Sequence, residues 1–487
     1  MTIVKNVTCP ICGTFCDDIE LTVKKNKVVD VKNACAMGEA KFLNYSDPHH
    51  RNLKPLIRRN GTLVETSWTE AIKKSAQILA EASYPLLYGW SSTCCEAISA
   101  GIELAEEIGG VIDNTSSVCH GPSILSIQDV GISTCTLGQI RHRADLIIYW
   151  GSDPYSAHPR HLERYTAFTE GRFQPSEWRR YVSRLRGVIG KKKLARASQL
   201  ALMEEFSVPP ITGNQFPPSL EAEKERKFIV IDARRTRSAE FADYFVQVEP
   251  NKDYELLQAM RMLVKNEELE VDEVAGVPVS VLEKIVDVMI GCKFGVLFFG
   301  VGLTMSSGKL RNIDAALALT RDLNFTTKFV IMPMRGHFNV TGANMVSIWQ
   351  TGYPFSVDFS QGFPAYNPGE TSAVDILSRD ESDAALVIAS DPVANFPRPA
   401  AQNLVKNPLI VVDPEKSATA LMADVVLPSA FVGIEAEGIA YRMDGVPLPL
   451  KRIVKPPRGL LSDEEILRRI LREVRKLKKA KGEPTHD

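Results

Sequence analysis

Hydrophobic residues along this chain gather into short runs of four to six aliphatic and β-branched positions, bounded by Gly, Asp and Pro and separated by stretches of helical periodicity. Such runs predict parallel strands buried on both faces, since a strand covered by helices on each side has no polar face to alternate with its apolar one. The runs also repeat. Asp145–Pro154 (DLIIYWGSDP), Phe228–Asp232 (FIVID) and the YFVQVEP that follows Ala242-Asp243 are matched later by Ala385–Pro392 (ALVIASDP), Leu409–Pro414 (LIVVDP) and the VVLP that follows Ala423-Asp424. The expected fold class is therefore α/β, with two pseudo-repeated doubly wound parallel-sheet units. Ahead of them, alternation over Ile19–Val31 around Lys25-Asn26 predicts a hairpin. Behind them, a capping box from Ser462 to Glu465 opens an amphipathic helix through Ile466, Leu467, Ile470, Leu471, Val474 and Leu477. This pattern divides the chain into 1–50, 51–290 with a basic insertion at about 172–227, 291–450, and a C-terminal extension 451–487.

Composition narrows the function. With 487 residues, 44% of them hydrophobic, the chain can build several cores, and 58 Lys+Arg against 59 Asp+Glu leaves a net charge of -1 that favours neither nucleic acid nor an anionic membrane. The longest apolar run, Phe294–Leu303, is ten residues, too short to span a bilayer, so no membrane insertion is expected. MTIVKNVTC shows no charged-then-apolar export pattern, so a cytoplasmic protein is expected, with its nine cysteines read as metal ligands and reduced thiols.

Four of these cysteines, Cys9, Cys12, Cys16 and Cys35, form a C-x2-C-x3-C-x18-C array. Soft thiolates suit Fe–S clusters and zinc alike. The uneven spacing leans toward a [4Fe-4S] cluster, because structural zinc usually takes paired knuckles from separate hairpins; zinc, or unrelated thiols, are the competing readings. Sheets of the expected type bind ligands beyond the carboxyl ends of their strands. Here those ends carry Gly151-Ser152-Asp153, Asp232 through Arg234 to Thr236, Gly300-Val301-Gly302, Ser390-Asp391 and Asp413. Each alone reads as an ordinary loop or helix cap; Asp at matched offsets in both repeats favours binding. Cys94, Cys95, Cys135 and Cys292 read as small hydrophobes.

CPICGTFCDDIEL (Cys9–Leu21), NACAMGEAKF (Asn33–Phe42), SSVCHGPS (Ser116–Ser123), DARRT (Asp232–Thr236), MRGHFNVTGAN (Met334–Asn344) and the segment Ala423–Gly459 resemble the molybdopterin-dependent oxidoreductases and, within them, the family of formylmethanofuran dehydrogenase B subunits. The resemblance implies a [4Fe-4S] cluster on Cys9, Cys12, Cys16 and Cys35, two molybdopterin guanine dinucleotides, and Mo or W bound by Cys119. It further implies His120 as proton carrier and Arg335 as the forked cation for CO2 or formate. The implied cofactor-binding residues are Gly151, Ser152, Asp153, Asp232, Arg234, Thr236, Asp253, Gly300, Gly302, Asp391 and Asp413. The activity implied is reversible two-electron reduction of CO2 to formate, which feeds formylmethanofuran synthesis on an amidohydrolase partner. Polyferredoxin-type carriers would deliver electrons. Because the chain stops soon after its PPRG-like segment, the β-barrel domain of single-chain relatives is expected as a separate subunit. A formate dehydrogenase catalytic subunit, a metal-free structural subunit of a formyltransferase/hydrolase complex and a zinc-bearing nucleotide-binding scaffold are the alternatives.

Overall fold

The buried runs become the strands of two parallel sheets. The computed structural model describes residues 1–176, 179 and 225–485, so the basic insertion lies largely outside the described residues. The contacts divide the chain into the unit Cys119–Met334 and a discontinuous unit of Met1–Val118 with Arg335–Asp487.

In the unit Cys119–Met334, five parallel strands lie in the spatial order Tyr244–Gln247, Lys227–Asp232, Leu146–Trp150, Gly295–Phe299, Phe329–Pro333. This is the doubly wound 3-2-1-4-5 order, which places a topological switch between the third and fourth strands in the row. The discontinuous unit holds an equivalent row: Val425–Leu427, Leu409–Val412, Ala384–Ile388, Pro85–Gly89, Val111–Asn114, again parallel. Short antiparallel strands extend it at both edges to nine. The two rows match in space but not in chain order, because the strand pair that comes last in one unit comes first in the other.

Matching carboxylates hold both rows. Asp145 accepts the N–H groups of Lys293 and Phe294, and Asp383 those of Ser83 and Tyr84. Asp243 accepts from Phe228 N–H, and Asp424 from Leu409 N–H. Each clamps the start of one strand to its neighbour, satisfying donors that burial would otherwise strand.

These contacts draw other boundaries than the sequence pattern suggests. Strands Gly295–Phe299 and Phe329–Pro333, expected in a second unit at 291–450, pair with Leu146–Trp150 instead, and Pro85–Gly89, expected in the first unit, pairs with Ala384–Ile388. An apolar run shows that a strand is buried, not which sheet buries it. Nor is 451–487 an appendage. Helix Asp463–Lys481 starts at Ser462, whose hydroxyl accepts from Glu465 N–H, ends at left-handed Gly482, and sinks Ile466, Leu467, Ile470, Leu471 and Val474 into the core of the discontinuous unit. It packs on helix Cys95–Ile108 as Asp253–Val264 packs on Leu310–Leu323 in the other unit, so it is the crossover helix of its repeat.

The first residues form a three-stranded antiparallel sheet, Thr2–Val7, Ile19–Lys24 and Lys27–Lys32, followed by helix Ala36–Asn44. Lys25 and Asn26 both take positive φ, as the tight hairpin requires. No helix among the described residues is long and apolar enough to cross a membrane.

Candidate functional site

The cysteine array sits in the N-terminal lobe of the discontinuous unit. Its loop is closed by Cys9 N–H to Cys16 C=O at 2.8 Å and Phe15 N–H to Cys12 C=O at 2.9 Å, while Cys35 caps helix Ala36–Asn44 through Glu39 N–H. Cys9 and Cys16 are buried in the lobe core with Val7, Ile19, Leu21 and Phe42. Burial raises the Cys9 thiol well above its ordinary range, and the nearness of Cys16, Cys12 and Cys35 raises it further. Four thiolates gathered in apolar surroundings need a cationic centre to stay ionised. Helix residue Gly38 leaves the space for one, since a Cβ there would stand 3.1 Å from Cys9 Sγ and 3.9 Å from Cys35 Sγ. The donor set and its surroundings therefore fit an iron–sulfur cluster. Among the described residues no three His, Cys, Asp or Glu side chains are arranged to hold a single metal ion; a cluster binds each thiolate to a different iron and does not need that arrangement.

Arg335 belongs to the same unit and its loop lies against the cysteine loop. Gly13 N–H donates to Gly336 C=O at 3.0 Å, and Cys12 bridges His337. An added Cβ at Gly13 would stand 2.2 Å from the carbonyl oxygen of Arg335. Gly13→Ala is thus expected to force the two loops apart, lowering the melting temperature by the equivalent of about 1–3 kcal/mol and shedding cluster iron. Gly336→Ala, whose Cβ would meet nothing within 4 Å, is the control. Equal melting curves and iron contents for the two variants would refute the packing argument.

In the unit Cys119–Met334, Cys119 is half-buried and its C=O accepts from Thr304 Oγ1 at 2.9 Å. His120 is fully buried, with Nε2 3.2 Å from Met334 C=O and Nδ1 3.1 Å from Ser123 Oγ. A carbonyl can only accept, so Nε2 carries a proton toward Met334, whereas the Ser123 hydroxyl can serve Nδ1 as donor or as acceptor. His120 thus has both ring nitrogens on protein partners.

The strand ends of this unit gather most of the expected cofactor residues. Gly151, Gly300 and Gly302 meet at the switch between Leu146–Trp150 and Gly295–Phe299, where a Cβ on Gly300 would lie 2.5 Å from Gly151 C=O. Ser152 is buried beside them and Arg234 is exposed. Asp232 accepts from Arg234 N–H at 3.1 Å. Asp253, buried at the first turn of its helix, accepts from Trp150 Nε1 at 2.9 Å. Burial raises both of these carboxyls. Thr236 Oγ1 is buried with no hydrogen-bond partner among the described residues. A buried hydroxyl left over in the loop that follows the strand ending at Asp232 fits a polar ligand such as a nucleotide.

Asp153 and Asp391 bind neighbouring loops of the chain itself. Asp153 accepts from Ser238 N–H and Oγ and from Ser156 Oγ; Asp391 accepts from Thr419 N–H and Oγ1 and from Ala418 N–H. Both are matched staples between loops, and their recurrence reflects the repeated fold. Asp413, the counterpart of Asp232, takes Glu415 N–H at 2.7 Å. Sequence reading missed Asp463, the counterpart of Asp253, which accepts from Thr93 Oγ1. The signal was present in the likeness of KDYELL (252–257) to SDEEIL (462–467).

Burial raises Asp413 to about 7. The folded chain then holds this proton more tightly than the unfolded chain, so its stability falls as pH rises from about 4 to about 7. Asp413→Asn is expected to remove that fall, leaving the cofactor-free chain about 1–3 kcal/mol more stable than wild type above neutral pH while weakening dinucleotide retention. Denaturant melts across pH, with pterin content measured on the purified protein, check both signs; a variant that loses stability above neutral pH contradicts the assignment.

Residues 51–174 match the molybdopterin oxidoreductase family model, the class that the paired sheets and cysteine lobe define. Over 98% of its length the chain is 46% identical to the B subunit of the tungsten-containing formylmethanofuran dehydrogenase 2 of Methanocaldococcus jannaschii, covering 99% of that protein, and 43% identical to its counterpart in Methanococcus maripaludis, covering 100%. The chain belongs to the family of formylmethanofuran dehydrogenase B subunits and is an oxidoreductase of that family. Its fold is also similar to a chain of the formyltransferase/hydrolase complex from Methylorubrum extorquens, at a TM-score of 0.62 and 21% identity, covering 88% of this chain and 99% of that one.

Proposed function

We propose that this chain is the tungsten- or molybdenum-bearing subunit that interconverts CO2 and formate, CO2 taking up two electrons and one proton. The observation that carries the reading is the contact of the Arg335 loop with the Cys12–Gly13 loop, which sets a cation suited to a carboxylate beside the proposed electron entry. Cys9, Cys12, Cys16 and Cys35 would hold a [4Fe-4S] cluster and Cys119 the metal. Asp232, Asp253, Thr236 and the glycines at the switch would hold one molybdopterin guanine dinucleotide, and Asp413 the other. The metal–dithiolene group, when bound, supplies the two-electron chemistry.

The chain's own residues do the remainder. Arg335 offers N–H groups in a fork that matches a carboxylate and leaves a fixed positive charge where formate carries its negative one. Burial of the cysteine lobe keeps water from the cluster. In this reading formate passes to an amidohydrolase subunit for formylmethanofuran synthesis, polyferredoxin-type carriers bring electrons, and the complex works in the cytoplasm. Family membership favours this over a formate dehydrogenase, and the intact cysteine array supports it over a metal-free structural subunit. Elemental analysis of the purified complex tests it: iron and about one W or Mo per copy are expected, whereas stoichiometric zinc without iron would overturn it.

A further inference from the structure

Arg335 is held by an amide. Its Nη1 donates to Oδ1 of Asn344, a buried residue on helix Val340–Thr351. The other end of that amide donates to Ser116 Oγ at 2.9 Å and to Pro354 C=O at 3.0 Å. A flipped amide would set oxygen against the Pro354 oxygen, so Oδ1 faces the guanidinium, where it also accepts from Ser116 Oγ at 3.3 Å. The partners are fixed in turn. Ser116 N–H donates to Asn114 Oδ1 at 2.9 Å, Asn114 Nδ2 donates to Pro354 C=O at 3.1 Å, and Asn114 N–H donates to buried Asp113 at 2.8 Å. Asp113 also takes Ser117 Oγ, Ser356 N–H and Ala373 N–H. The strand end Asp113–Ser117 is thereby tied through Asn344 to one arm of Arg335.

From this geometry we infer that Asn344 is a positioning residue for Arg335. The inference rests on the proposed role of Arg335 toward formate. A carboxylate at this position would orient the guanidinium equally well but would pair with it and cancel its charge. A neutral amide oxygen fixes one N–H without itself neutralising the guanidinium that is proposed to meet an anionic substrate. The residue type, as well as its place, thus suits a site in which arginine must bind a small carboxylate rather than a protein one.

The test is steady-state formate oxidation by the purified complex carrying Asn344→Ala, Arg335→Ala or both, with metal and iron contents and melting curves for each. Asn344→Ala is expected to raise the KM for formate roughly ten-fold with metal content unchanged, and to add little in the Arg335→Ala background, because it acts through that side chain. An equal factor in both backgrounds would overturn the inference, since Asn344 would then act independently of Arg335. If Arg335→Ala alone leaves formate KM and turnover unchanged, the reading of Arg335 itself fails, an outcome distinct from the first. Should the alanine variant lose its metal, the isosteric Asn344→Asp decides: a rise in formate KM with metal retained supports charge-preserving positioning, and an unchanged KM overturns it.

Discussion

Cys119→Ser is expected to leave the chain folded and its iron in place while CO2 reduction and formate oxidation both fall by about a hundred-fold or more. The Cys119 backbone is held by Thr304 through its carbonyl, which the substitution does not touch, so the new hydroxyl should occupy the thiol's position. What changes is the donor. A serine oxygen is hard and stays protonated near neutrality, whereas the cysteine thiolate is soft and matches a metal in a sulfur-rich shell. Activity and W or Mo content per copy, measured on the same preparation, check the expectation. Full occupancy with full turnover would remove Cys119 from the site.

Cys16→Ala should act on a different part of the machine. It removes one of four thiols that electrostatically sense one another within a buried lobe, and an incomplete ligand set does not hold a cubane. The variant complex is expected to lose about four irons per copy of this chain, together with the matching low-temperature paramagnetic signal of the reduced protein. Pterin content should stay near that of the parent, because the residues proposed to hold the dinucleotides lie at strand ends and not in the lobe. Unchanged iron in this variant would mean that the array does not carry a cluster.

How much of this was legible beforehand follows from what each signal encodes. The repeated FIVID and LIVVDP runs announced two alike units, since a strand buried on both faces has a composition that few other structures share. Sheet membership was not legible: Pro85–Gly89 and Gly295–Phe299 are equally apolar, and only pairing shows that each completes the row begun in the other part of the chain. The carboxylates divide in the same way. Recurrence marked Asp153, Asp391, Asp232 and Asp413 together, but Asp153 and Asp391 spend their oxygens on loop N–H groups and hydroxyls, while Asp232 and Asp413 each take a backbone N–H two residues on, from Arg234 and Glu415. His120 was read from adjacency to Cys119, and its ring turned out to be held at both nitrogens. Asn344 lay inside a recognised motif, yet its bond to Arg335 depends on a rotamer that no motif records.

The central claim is that this chain, within its complex, interconverts CO2 and formate. The most direct measurement supplies the purified complex with isotopically labelled CO2 and a low-potential electron donor and follows labelled formate. The account predicts formate formation that depends on the donor and is lost in Cys119→Ser. A complex that carries its metal and cluster, accepts electrons from the donor and yet forms no labelled formate would contradict it.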